Sequence, residues 1–326
     1  MDIREALQLG IHRLRDTHVD SYTLAAELLL LHAIERDRTW LYSHAKEPVS
    51  PQQEQKYLEF IDRRIAGEPV QHLTGKQEFW SLDFEVSPDV LIPRPETEHL
   101  IEVALDRLGV REIRAGRPPK NSGEGLLAAD IGTGSGCIAI ALATALPAAN
   151  FIATDISRAA LAVAQRNATR HLVSDRIHFI ECNLLEGVPA GAASPRPARS
   201  IAPTADTPTS LPDQANVRAD GAPRQFDLIV SNPPYIGLNE MDSLAREVRD
   251  HEPVAALYGG EEGYELYADL ITQAACWLAP GGLLVLELGH KSLPAVQPLL
   301  DAPTWARAAV TNDLAGIPRV IAAERL

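Results

Sequence analysis

Four consecutive residues, Asn232-Pro233-Pro234-Tyr235, close an apolar run that begins at Ile229. Two prolines can neither continue a β-ladder nor open a helix here. Each fixes its own φ, and each holds the residue before it in an extended conformation. Taken alone, the stretch is a rigid loop or a strand end built to present one amide and one aromatic side chain. A second stretch, ADIGTGSGCIA at residues 129–139, follows a strand and opens a helix. Gly132, Gly134 and Gly136 allow a sharp turn and let a ligand approach the backbone without Cβ atoms in the way. A phosphate site uses the same device, so the glycines do not name the ligand. The spacing is not that of a dinucleotide loop, and no Lys follows as in a P-loop; a turn made only for packing is the plain alternative. Asp155 ends the next strand, 25 residues after Asp130. An acid there can accept hydrogen bonds from both ribose hydroxyls of a nucleoside, and the competing role is helix capping by Asp155 or by Ser157. Asn183 follows the third strand, where a contact to an adenine edge is expected and a simple turn residue is equally consistent.

These groups need a frame. From residue 126 the chain alternates strands and helices: LLAAD, the helical CIAIALATAL, FIATD, SRAALAVAQRNA, IHFIEC, FDLIVS, LLVLELG and RVIAA. Such alternation implies a mostly parallel sheet with helices on both faces. The first ~85 residues read as helical, with Ile3, Ala6, Leu7, Ile11 and Leu14 on one face. A second helix starts after Ser21 and holds the apolar run 24–34, and a third starts where Ser50 caps, Pro51 takes the first helical position and Gln53 closes a capping box. Phe79, Leu82, Phe84 and Val86 alternate with polar residues and predict a short hairpin, followed by a helix in HLIEVALDRL and a loop in RAGRPPKNSGEG. The division expected is 1–75 helical, 76–100 hairpin and linker, and 101–326 the sheet domain. Residues 188–223, rich in Ala, Ser, Thr and Pro without periodicity, read as a disordered insertion.

Bulk properties narrow the function classes. A chain of 326 residues exceeds the usual single domain of roughly 100–200 residues, so two domains are expected. The net charge of −14 argues against a protein that holds nucleic acid mainly by neutralising phosphates. Three cysteines far apart, Cys137, Cys182 and Cys276, fit neither a disulfide framework nor a zinc site. The start MDIREALQLG lacks the apolar core of a signal peptide, and no apolar run approaches the roughly 20 residues of a membrane span, so a cytoplasmic protein is expected.

Glycine loop, acidic strand end and N-P-P-Y together resemble S-adenosylmethionine-dependent methyltransferases acting on planar nitrogen. AGEPVQHLTGKQEFW, VLIPRPETE, EVRDHEPVAALYGGEEG and DLAGIPRV sharpen this to the release factor glutamine methyltransferase family, over nearly the whole chain outside 188–223. The resemblance implies a Rossmann-like α/β methyltransferase sheet after a small all-helical N-terminal domain that docks the factor. It implies methyl transfer from S-adenosyl-L-methionine to the glutamine of the Gly-Gly-Gln motif in class I peptide chain release factors. A monomer is expected on fold analogy, and the cysteine spacing and net charge lead to the expectation of no metal and no direct nucleic-acid contact. The cofactor is expected on Gly132, Thr133, Gly134, Ser135, Gly136, Asp155, Asn183, Leu184 and Asn232. Catalysis and substrate binding are expected at Asn232, Pro233, Pro234 and Tyr235. Asn183 stands where an Asp is common in the family. Arg94 and Glu96 in PRPETE are expected to organise a loop beside the cofactor. Rival readings are glutamine methylation of a ribosomal protein, amino-group methylation of a nucleic-acid base, and a non-catalytic scaffold.

Overall fold

A computed structural model describes residues 1–110, 122–189 and 225–326. Helices α1 (Ile3–Asp16), α2 (Tyr22–Ile34), α3 (Arg38–Ser43), α4 (Pro51–Ile65) and α5 (Val70–Thr74) form the N-terminal unit. The expected capping box is made, Ser50 with Gln53 opening α4 behind Pro51, and a second, Asp2 with Glu5, opens α1. Each satisfies two N–H groups that the first helical turn leaves without partners. Ile3, Ala6 and Leu14 of α1 and Tyr57, Phe60 and Ile61 of α4 close on α2. That helix is apolar on every side, so Leu29 and Leu30 are buried while Leu24 and Leu28 remain 47% and 40% exposed.

The expected hairpin is β1 (Lys76–Phe79) and β2 (Leu82–Glu85), paired with Phe79 opposite Leu82. Trp80 and Ser81 between them have φ of 54° and 59°, the primed turn whose twist matches a two-residue hairpin. The segment is less a linker than a part of the sheet unit, because Phe79 and Phe84 are buried in the core under the sheet. A 3₁₀ turn, Pro95–Thr97, leads into α6 (Glu98–Arg107).

The alternating region gives β3 (Leu127–Ile131), α7 (Cys137–Ala145), β4 (Asn150–Asp155), α8 (Arg158–Arg170), β5 (Ile177–Glu181) and β6 (Phe226–Ser231). Beyond these come β7 (Ile236–Gly237), α9 (Arg246–His251), α10 (Val254–Leu257), β8 (Tyr258–Gly260), α11 (Glu265–Trp277), β9 (Leu278–Glu287), α12 (Leu293–Val296), β10 (Ala309–Asn312) and β11 (Pro318–Glu324). Seven strands make one sheet in the order β10-β11-β9-β6-β3-β4-β5. β9, β6, β3, β4 and β5 run parallel, and β11 and β10 add an antiparallel edge. Side chains alternate between faces as strand geometry requires. Ala128, Ala153, Val230 and Val285 point into one core with α6 and α7. Leu127, Ala129, Ile131, Ile229 and Leu284 point into the other with α11.

The 13-residue helix α11, the edge strand β10 and the short elements α3, α5, α9, α10, α12, β7 and β8 go beyond the elements expected. All but α11 are six residues or fewer, too short for a period to emerge. Of the predicted insertion, only Val188 and Pro189 fall among the described residues, and most of the loop expected at 114–125 also lies outside them. No described helix is long and apolar enough to cross a membrane.

Candidate active site

Strand register brings the three chemical signals together. β3 lies between β4 and β6, with Ile131 opposite both Thr154 and Ser231. Gly132, Asp155 and Asn232 are each the next residue, so all three leave the carboxyl edge at one level on neighbouring strands about 4.8 Å apart. The chain order reverses at β3, and such a switch point is where open α/β sheets bind ligands. Ser231 reinforces the junction by donating from Oγ to the Ile131 carbonyl at 2.7 Å, within the buried sheet.

In the glycine loop, Gly132, Gly134 and Gly136 all have positive φ, between 54° and 82°. Their surroundings differ. A Cβ on Gly132 or Gly134 would meet nothing within 4 Å, whereas one on Gly136 would lie 2.9 Å from Ile140 Cδ1 and 3.1 Å from Ala164 Cβ. The first two therefore face an open cradle, and the third lets α7 approach α8. Thr133 and Ser135 are buried and turned inward. The Thr133 hydroxyl donates to Asp130 Oδ2 at 2.7 Å, which also accepts from the Ala139 N–H at 3.1 Å. Burial lifts the Asp130 carboxyl to about 7, against the pull of those two donors. Its Oδ1 has no hydrogen-bond partner. Asn167 of α8 was invisible as a functional signal, yet it fastens the loop. Its Nδ2 donates to the carbonyls of Ser135 and Glu85, both at 2.9 Å, and its Oδ1 accepts from the Glu85 N–H at 2.7 Å.

Capping of α8 falls to Ser157, which accepts from the Ala160 N–H. Asp155 is nevertheless not left free. Its Oδ2 accepts from the Gly134 N–H at 2.9 Å and its Oδ1 from the Ser157 N–H at 2.8 Å. Each oxygen keeps a lone pair for a ligand hydroxyl, and the carboxylate is held in place for it. Burial raises its pKa, opposed by those N–H groups. Asn183 is exposed and opens a turn, its carbonyl accepting from Glu186 N at 3.0 Å. Leu184 beside it is buried with φ of 49°. An open glycine cradle, an anchored acid and a buried apolar wall fit an adenosine-bearing sulfonium.

At the β6 end, Asn232 is half-buried and its Nδ2 donates to the Thr97 hydroxyl at 3.1 Å. With Nδ2 engaged by Thr97, Oδ1 is the amide's acceptor for a ligand. Thr97, the buried polar residue of PRPETE, went unread in the sequence although the motif contains it. The half-buried Tyr235 donates to Glu287 Oε1 at 3.4 Å. Pro234 is pinned from behind by the YGGEEG segment: a Cβ on Gly259 would lie 2.4 Å from its carbonyl oxygen. Arg94 pairs with buried Glu252 of the DHEP segment, and Glu252 also accepts from the Ile92 N–H at 3.2 Å, so Arg94 does organise this loop. Glu96 is exposed in the 3₁₀ turn. The helical unit is tied to the same region by the buried Arg64, which meets Glu247 of α9 at 2.6 Å. No cluster of metal-ligating side chains occurs among the described residues.

A parallel sheet with a glycine cradle and an acid at adjacent strand ends fits an S-adenosylmethionine-dependent methyltransferase, the class that the relatives below show. A family model described as "Methyltransferase domain" matches residues 128–195, and one described as "PrmC N-terminal domain" matches residues 5–75. The release factor glutamine methyltransferase of Koribacter versatilis is 37% identical over 321 residues, covering 98% of each chain. That of Bradyrhizobium diazoefficiens is 38% identical over 96% of this chain and 92% of its own. The chain belongs to the release factor glutamine methyltransferase family. Among solved structures, the hMettl16 catalytic domain in complex with MAT2A 3′UTR hairpin 6 has a TM-score of 0.49 at 18% identity, covering 78% of this chain and 79% of that one.

Proposed function

We propose that this chain methylates the side-chain amide nitrogen of the glutamine in the Gly-Gly-Gln motif of class I peptide chain release factors. The observation that carries the reading is the Asn232 amide, oriented by Thr97 so that Oδ1 is the acceptor at the strand end beside the glycine cradle. An amide nitrogen is a poor nucleophile because its lone pair is delocalised into the carbonyl. Asn232 Oδ1 accepts a hydrogen bond from one substrate N–H, and the Pro233 carbonyl accepts from the other. The two prolines fix the angle between these acceptors. Tyr235 packs against the flat face of the amide. S-adenosylmethionine, held by Gly132 to Gly136, Asp155, Asn183 and Leu184, supplies an electrophilic methyl group on sulfur. The rate then comes from orientation and local electrostatics. The proton lost from the methylated nitrogen is acidic, so no base with an adjusted pKa is required.

The N-terminal helices are the docking unit for the factor, in a cytoplasmic monomer that does not contact nucleic acid directly. Leu24, Leu28 and Tyr42 give that unit exposed apolar and aromatic surface, and Arg64–Glu247 links it to α9. The test is transfer of radiolabelled methyl from S-adenosylmethionine to a purified release factor, beside one whose motif glutamine is alanine. Label on the first alone is expected. Label on neither, with cofactor binding intact, redirects the search to ribosomal protein and to nucleic-acid bases.

A further inference from the structure

One buried amide joins the glycine cradle to the β1–β2 hairpin. Asn167 lies on the buried face of α8, and its side chain is enclosed. Oδ1 accepts from the Glu85 N–H at 2.7 Å, while Nδ2 donates to the Glu85 carbonyl and to the Ser135 carbonyl, both at 2.9 Å. The pair with Glu85 fixes which way the amide points, because an N–H needs the oxygen and a carbonyl needs the nitrogen. The second N–H of Nδ2 is thereby aimed at Ser135.

The Ser135–Gly136 peptide needs such a hold. It can turn over by rotation about Ser135 ψ and Gly136 φ, and glycine tolerates either sign of φ. Two bonds stop it. The Gly136 N–H donates to the Thr133 carbonyl at 2.8 Å, and Asn167 holds the carbonyl at the other end of the same peptide. Turning the peptide breaks both bonds and strands buried polar groups. The hairpin is a firm anchor, because it is itself fastened to α8. Arg166 meets the Glu85 carboxylate at 2.7 Å, His171 Nε2 lies 3.0 Å from the Asp83 carbonyl oxygen, and Val86 and Val90 cluster with Ala160 and Val163.

We propose that Asn167 is a positioning residue for the cofactor: it locks the Ser135–Gly136 peptide of the cradle to the backbone of Glu85, so that the β1–β2 hairpin sets how tightly S-adenosylmethionine binds. A loop already held in its binding conformation loses less freedom when the ligand arrives, and affinity rises accordingly. The hairpin, a connection by its place in the chain, becomes a support of the cofactor site through this single side chain. The inference concerns the cofactor and is independent of which acceptor receives the methyl group.

The test uses the full-length chain and two variants. Asn167→Asp keeps the shape and the acceptor for the Glu85 N–H but sets a carboxylate against two carbonyls. Asn167→Ala removes all three bonds without adding charge, and it decides the matter if the Asp variant does not fold. Calorimetric titration well below the melting temperature should find S-adenosylmethionine binding weakened about tenfold, the effect of roughly one lost hydrogen bond. S-adenosylhomocysteine should weaken by the same factor, because the change lies in the cradle and not at the methyl group. In the free protein, the amides of Thr133, Gly134 and Gly136, all hydrogen-bonded in the wild type, should exchange faster while β3 and β4 keep their protection. Arg166→Ala, which removes only the surface ion pair with Glu85, should move neither readout. A folded Asn167 variant with a lower melting temperature but unchanged cofactor affinity and loop exchange would overturn the proposal and leave Asn167 a brace for the fold alone.

Discussion

The helical unit and the sheet unit bury apolar side chains equally well, yet they treat polar groups differently. Among the described residues twelve polar or charged side chains are buried, and only Glu27 and Arg64 belong to the helices. Both of those are answered by ions, Glu27 by Arg38 and Arg64 by Glu247. In the sheet unit, Thr97, Asp130, Thr133, Ser135, Thr154, Ser231 and Glu287 crowd the carboxyl edge, and several keep an oxygen without a partner. A buried polar atom costs about 1–3 kcal/mol when its hydrogen bond is missing. Both units carry that cost among the described residues, the helices at Glu27, Tyr57, Arg64 and His72; the sheet unit gathers Asp130, Ser135, Thr154 and Glu287 at the edge where ligands bind. One unit is built for packing and surface, the other for preorganised chemistry.

That contrast can be broken most forcefully at Asn232. Asn232→Ala should reduce methyl transfer about 10²–10³-fold, the usual loss for one preorganised polar group. Steady-state kinetics on an intact factor measures it, and a loss under threefold would remove Asn232 from the clamp. Next come the loop glycines. Gly136→Ala combines left-handed strain with contacts at 2.9 and 3.1 Å and should cost about 1–3 kcal/mol of stability. Gly134→Ala has the strain without the collision, so calorimetry should find it chiefly in cofactor affinity. Equal melting losses in the two would erase the distinction between cradle and packing glycine.

The third concerns pH. Asp130 and Glu287 have folded pKa values raised to about 7 from 3.8 and 4.5, so the native chain binds more protons than the unfolded chain between those values. Stability from these groups is therefore present below their unfolded values and declines as pH rises toward 7. Melting temperature should fall across that window, and Asp130→Asn should flatten the fall. A melting temperature that climbs there in wild type and variant alike would show other groups dominating. The smallest effect on stability is expected in the helices. Leu24→Glu with Leu28→Glu should alter it by less than about 0.5 kcal/mol per site, as exposed substitutions do. The same pair should raise KM for the intact factor and leave turnover of a short Gly-Gly-Gln peptide unchanged, which assays on both substrates compare.

Much of this was legible in residue order. Capping boxes, alternating strands, a glycine turn and N-P-P-Y are local signals, because each depends on neighbours within a few positions. Asn167, Thr97 and Glu287 carried no such signal. Asn167 sits in an ordinary amphipathic helix, and its partners Glu85 and Ser135 are 82 and 32 residues away. Glu287 ends a long apolar strand, where an acid reads as the return to solvent, and only the placement of β9 beside β6 buries it. Asp155 shows the intermediate case. Its place at a strand end was readable, but its bonds to Gly134 and Ser157 depend on how the loop folds over β4.

The sequence by itself determined which segments become strands and helices, which backbone positions require glycine or proline, and the family to which the whole belongs, since these follow from local sterics, periodicity and motif. Only the tertiary structure decided that Gly132, Asp155 and Asn232 stand at one level on adjoining strands, and that Thr97 and Glu287 lie behind them. Parallel pairing across 100 residues brings those groups together, and which strand lies beside which is not written in any short stretch of chain.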